Sequence, residues 1–160
     1  MEDLRRFGAA WYYREFWSFA QVPTGSDQAL YGRALLCCCN GDGTLHPDER
    51  NWVLGAATVR GFPLAVIEDL KTYMGTDDVA EIVRSSPTVA RASRALIYDA
   101  LCACDADGVL AEGEWASIVK MAAALDVPES IVKQIHDARA AEKSATQARI
   151  KVVYPDGRPY

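Results

Sequence analysis

At 160 residues, half of them hydrophobic and 24% charged, the chain has the size and composition of one globular domain rather than a disordered polymer. Its net charge of −5 argues against a general nucleic-acid binder, which needs a basic face to neutralise phosphates. No apolar run reaches the length of a transmembrane segment, and the opening Met1-Glu2-Asp3 before two arginines does not read as a secretory signal.

The N-terminal segment, residues 1–21, reads as a helix from about Asp3 to Ala20 with a dense aromatic set: Phe7, Trp11, Tyr12, Tyr13, Phe16, Trp17 and Phe19. These side chains occupy nearly every face. Core packing is the expected use of most of them, with self-association or a ligand surface as the alternative. Val22-Pro23-Thr24-Gly25 breaks the helix, and Ser26 is placed to cap the next, which runs to about Cys38. After Asp42-Gly43, Pro47 fits a first helical turn, with Asp48 and Glu49 at the positive helix end. That helix ends near Gly61, and Pro63 opens another to about Met74. A short helix follows over 76–84, capped by Thr76. Ser86-Pro87 starts a helix reaching Cys102, and after Asp107-Gly108 a further helix covers about Ala111 to Leu125. Pro128 opens the last, to about Lys143. The tail, 144–160, holds a β-branched run and Pro155-Asp156-Gly157, which predicts an extended segment or small hairpin.

A duplication organises this list. Sliding the chain by 65 residues lays Leu36–Leu70 on Leu101–Ile135 without a gap, with nine of thirty-five positions identical. Glycine falls on glycine (Gly43/Gly108) and proline on proline (Pro63/Pro128), where backbone geometry is demanding. The expected fold is all-α: one compact helical bundle of about seven or eight helices, with two pseudo-symmetric helix–loop–helix halves over 26–84 and 86–143.

Each half turns on an Asp-Gly loop that partly matches the twelve-residue EF-hand pattern. That pattern wants oxygen ligands at its first, third and fifth positions, then a glycine, a main-chain carbonyl, an apolar anchor and a terminal glutamate. The first loop, Cys38 to Glu49, offers Asn40, Asp42, the carbonyl of Thr44 and Glu49. The second, Ala103 to Glu114, offers Asp105, Asp107, the carbonyl of Val109 and Glu114. Both fail at the first ligand, where Cys38 and Ala103 replace aspartate. Calcium is a hard cation seeking six to eight oxygens, so only weak binding is expected, and more in the acid-richer second loop. The alternative is a metal-free turn whose acids cap helix ends.

The string from Cys104 to Glu114, followed by an apolar helix and Leu125-Asp126-Val127-Pro128-Glu129-Ser130, resembles the tellurite-resistance TerB-like helical domains. Asn40 to Glu49 looks like the same unit or an EF-hand. The likeness covers roughly residues 30 to 140. It implies an all-α bundle with pseudo-twofold halves, acidic loops that can hold calcium, and a role in stress-response or signalling assemblies. The aromatic helix, the cysteine triplet and the tail lie outside that pattern.

The five cysteines include the triplet Cys37-Cys38-Cys39, unsuited to a disulfide framework, so a reducing cytoplasmic setting is expected. Cys37-x-Cys39 and Cys102-x-Cys104 are repeat equivalents. Buried packing is their expected role; a zinc-thiolate site or redox pair is the alternative. His46 and His136 imply no pair, and no phosphate loop or nucleophile motif is present, so no enzyme is expected. The leading functional reading is a calcium-binding or calcium-derived interaction module with a protein partner. A metal-free scaffold that docks a protein or small apolar ligand through its aromatic helix stands second, and a thiol-based metal or redox protein third.

Overall fold

The computed structural model describes residues 2–22 and 27–158; the expected break at Pro23–Gly25 and the expected cap at Ser26 lie outside the described residues, apart from Val22. Nine α-helices are found among the described residues: α1 (Glu2–Trp17), α2 (Gln28–Cys39), α3 (Pro47–Val59), α4 (Leu64–Thr72), α5 (Val79–Arg84), α6 (Pro87–Arg91), α7 (Ser93–Cys104), α8 (Glu112–Ala124) and α9 (Glu129–Val153). A 3-10 turn, Asn40–Asp42, follows α2.

The duplication holds to the residue. The 65-residue offset carries the bounds of α2 onto those of α7, those of α3 onto those of α8, and the first residue of α4 onto the first of α9. The helix ends repeat as well. Phe62 N–H donates to Ala57 O and Gly61 N–H to Thr58 O at the end of α3. Val127 N–H donates to Ala122 O and Asp126 N–H to Ala123 O at the end of α8. Both are Schellman closures, in which the turn residue must be left-handed. Gly61 takes φ 77°, and Asp126 takes φ 56° at the equivalent place, a conformation an aspartate tolerates better than most residues.

α2 and α7 form the centre. From Ala34 to Cys39 and from Leu96 to Cys104 nearly every side chain is buried, with Tyr98 the exception. Helices apolar around most of their circumference must be covered on all sides. Here α7 lies against α2, with α3, α5 and α8 completing the shell around α2 and α9 closing over α7. Leu36, Leu101, Ile118 and Met121 are fully buried among them.

Four expectations are corrected. The helix predicted from Ser86 to Cys102 breaks at Ala92 into α6 and α7, although Ser86 caps it as expected, accepting from Val89 N–H at 3.0 Å. The cap of α5 is Asp78, not Thr76; its carboxylate accepts from Ala80 N–H at 2.8 Å. α1 stops at Trp17 rather than Ala20, because Ser18 turns left-handed and closes the end. The tail is not extended. α9 continues through Ile150-Lys151-Val152-Val153, and only the turn Tyr154–Gly157 matches expectation. A run rich in Ala, Glu, Lys, Gln and Arg propagates helix cheaply, and two valines cost only tenths of a kcal/mol each before Pro155 stops it.

Candidate functional site

The two Asp-Gly loops come together where the halves meet. The 3-10 turn Asn40–Asp42 packs on the start of α8 so closely that a Cβ on Gly41 would lie 2.5 Å from Gly113 O. Gly43 and Gly108 take matching left-handed φ values of 90° and 96°, which the sharp turn requires. Leu45 and Leu110 pack on the core as the anchors of their loops.

The glutamates that end the two loops are both buried, at 2% exposure each. Glu49 Oε2 accepts from His46 N–H at 2.8 Å and Glu114 Oε2 from Ala111 N–H at 2.7 Å, so each ties off the start of its helix. Glu49 and Glu114 also share a hydrogen bond with each other. Burial, then the hydrogen bond to Glu49, pushes the Glu114 carboxyl up to about 8, and the nearby charges of Glu49 and Asp42 add to the shift. Burial raises Glu49 as well, while its hydrogen bond to Glu114 acts to lower it. The pair therefore holds one proton between its two carboxyls. Two carboxyls in contact away from water cannot both ionise cheaply.

The other proposed ligands point to local partners. Asp42 Oδ1 accepts from Thr44 N–H at 2.8 Å and Asp107 Oδ1 from Val109 N–H at 2.9 Å, both on exposed loop tips. Asn40 donates its amide to Gly75 O at 3.3 Å, and Asp105 is paired with Lys143 at 2.7 Å. Cys38 and Ala103, at the first ligand positions, are fully buried. Among the described residues no group of three or more His, Cys, Asp or Glu side chains is placed to hold a metal ion. The donors that calcium would need are thus divided between capping, ion pairing and solvent, and the arrangement does not fit a ready-made oxygen cage.

A solved tellurite resistance protein from Nostoc punctiforme has the same architecture: TM-score 0.85 and 37% sequence identity, covering 100% of this chain and 100% of that one. The chain belongs to the tellurite-resistance, TerB-like family. No protein-family model matches it, and no curated protein does. The likeness reaches beyond the expected span of 30 to 140 and extends over the N-terminal helix and the tail.

Elsewhere in this tellurite-resistance family member, the cysteines serve as core. All five are free and buried. Cys39 and Cys104, equivalent in the repeat, meet at 3.8 Å between sulfurs, whereas Cys37 turns to the Tyr73 hydroxyl at 3.2 Å. Burial pushes Cys102 up to about 11. A four-thiolate zinc site is therefore not assembled, because alternate residues at a helix end direct their sulfurs apart. His46 caps α3, its Nδ1 accepting from Asp48 N–H at 3.2 Å, and His136 sits edge-on to Trp115 with centroids 5.7 Å apart.

The aromatic helix departs from the expected core role. α1 rests on α3, and Leu4, Phe7, Trp11, Phe16 and Phe19 are exposed. Its rings pack on one another instead, as in Trp11 with Phe16 and Tyr13 stacked on Phe19. Among the described side chains of α1 only Ala9 is buried, while Tyr12, Tyr13 and Trp17 are half-buried.

One buried polar cluster has no counterpart among the sequence motifs. Arg60 makes a buried ion pair with Asp99, its Nη2 reaching Asp99 Oδ1 at 2.8 Å. Tyr31 donates to Asp99 at 2.6 Å, and Arg60 also reaches Tyr12 at 2.9 Å. The repeat gives no hint, since Arg60 aligns with Leu125 and Asp99 with Ala34. A lone acid within the apolar run Leu96–Cys104 was the available signal.

Proposed function

We propose that this protein is a non-catalytic, stress-related helical interaction module of the cytoplasm, built on degenerate calcium-derived loops that hold any calcium only weakly. The observation that carries this reading is the Glu49–Glu114 pair: the residues that would close two calcium loops instead bond to each other and to helix starts. The likeness to the Nostoc relative, a tellurite resistance protein, supports the stress-related part. Asp42 and Asp107, with exposed carboxylates beside that pair, are the groups a cation would meet first. Calorimetry with calcium on chelator-treated protein tests it. The expected result is no saturable binding below millimolar calcium, and loss in Asp107→Ala of most of any heat that appears. Binding at micromolar calcium with a raised Tm would overturn the degenerate-loop reading.

The second reading, a scaffold that docks a protein through its aromatic helix, is favoured by the exposure of Phe7 at 75% and Trp11 at 53%. Large apolar side chains clustered in water mark contact surfaces more often than they mark stability. The two readings are compatible. The loops brace the halves and α1 presents the surface.

A further inference from the structure

A cavity of about 990 Å³ opens between the C-terminal end of α1, the start of α2, the α6–α7 corner and α9, away from the Asp-Gly loops. That is the size of a small-molecule site. Trp17, Val89, Ala95, Ile131 and Ile135 give it apolar walls. The Trp17 ring is fixed, edge-on to Tyr98 at 5.3 Å and with Nε1 donating to the Tyr12 hydroxyl at 3.2 Å. Ala95 is exposed although its neighbours Leu96 and Ile97 are wholly buried, because α7 turns that face toward the opening.

The charges around the cavity are unevenly matched. Three carboxylates line it, and each has a partner: Asp99 with Arg60 and Tyr31, Glu142 with Tyr98, and Asp27 with Ser86. Arg60 is neutralised within that set. Arg91 and Arg94 also line it and are exposed, and among the described residues neither has an acidic partner. The Arg91 Nε only reaches Pro87 O, at 3.4 Å. An apolar chamber edged by two unneutralised guanidiniums suits a ligand with an apolar chain and one anionic end, since guanidinium forks bind carboxylates with paired, charge-assisted hydrogen bonds.

We propose that this chamber binds a single-chain anionic amphiphile of the fatty-acid class, with the carboxylate at Arg91 and Arg94 and the chain against Trp17, Ile131 and Ile135. The site is independent of the loops, and its fate does not depend on calcium. Titration calorimetry of the full chain with laurate, below its micellar concentration, tests it against dodecyl maltoside and dodecyltrimethylammonium. The expected result is one saturable laurate site, with both other head groups weaker by about tenfold or more. Arg91→Glu with Arg94→Glu weakens laurate by a similar factor, and Ala95→Trp, which fills the chamber, abolishes binding while the far-UV circular dichroism stays unchanged. Should Ala95→Trp fail to fold, brominated laurate decides instead: it quenches wild-type tryptophan fluorescence, and most of that quenching disappears in Trp17→Phe. Absence of laurate binding, equal binding of the neutral amphiphile, or quenching that survives Trp17→Phe would each overturn the proposal.

Discussion

Glu114 belongs to a buried carboxyl pair whose proton links the stability of the fold to pH. Its carboxyl is raised to about 8 by burial and by Glu49, against about 4.5 for a free glutamate. A group whose folded pKa is raised binds its proton more tightly when folded, so its contribution is complete below the unfolded value and is lost as pH climbs through the folded one. Thermal stability should therefore decline between about pH 5 and about pH 9. Glu114→Gln keeps a donor toward Glu49 and an acceptor for Ala111 N–H while removing the titration. Melting curves across this range should be markedly flatter in the variant. An unchanged slope would mean that the proton is not shared at this position.

Among the elements, α9 shows how local propensity overrode a β-branched signal. Its first turns pack on α7 and α8, with Val132 buried and Ile131 and Ile135 against the core. Among the described residues beyond Lys143, Ile150 is the one half-buried residue and Val152 is 82% exposed, so the last turns are held by backbone hydrogen bonds rather than by packing. Deleting residues 145–160 should lower far-UV helical signal while moving Tm by no more than about 3 °C, because little apolar surface is returned to water. A collapse of Tm would show that the tip covers part of the body. α1 is the opposite case, a helix rich in core-type side chains that meets too little of the protein to bury them.

For the molecule as a whole, the pseudo-twofold relation is both the architecture and its vulnerability. Cys39 meets Cys104, Glu49 meets Glu114, and the first loop lies on the start of α8, so each half completes the other. What this leaves uncovered is the outer face of α1. Leu4, Phe7 and Trp11 follow a helical i, i+3, i+7 spacing and form an exposed apolar stripe. A second copy of the chain is the simplest cover. Sedimentation velocity should show a concentration-dependent rise in apparent mass that Phe7→Ser with Trp11→Ser removes. A monomer at every concentration would assign the stripe to a different partner.

The chain's own sequence determined the helical class and the repeated helix–loop–helix pattern, because periodicity, proline starts and left-handed ends act within a few residues of themselves. Leu36 and Leu101, or Gly43 and Gly108, can be paired on paper since duplication preserves local constraints. It also determined that the loops lack their first oxygen ligand. Only the tertiary structure decided that Glu49 and Glu114 bond to each other, that Asp99 is buried against Arg60 and Tyr31, and that α1 exposes its rings. Those outcomes depend on groups far apart in the chain sharing one low-dielectric space, and on how much surface remains to cover an outer helix. Neither is a property of any local stretch.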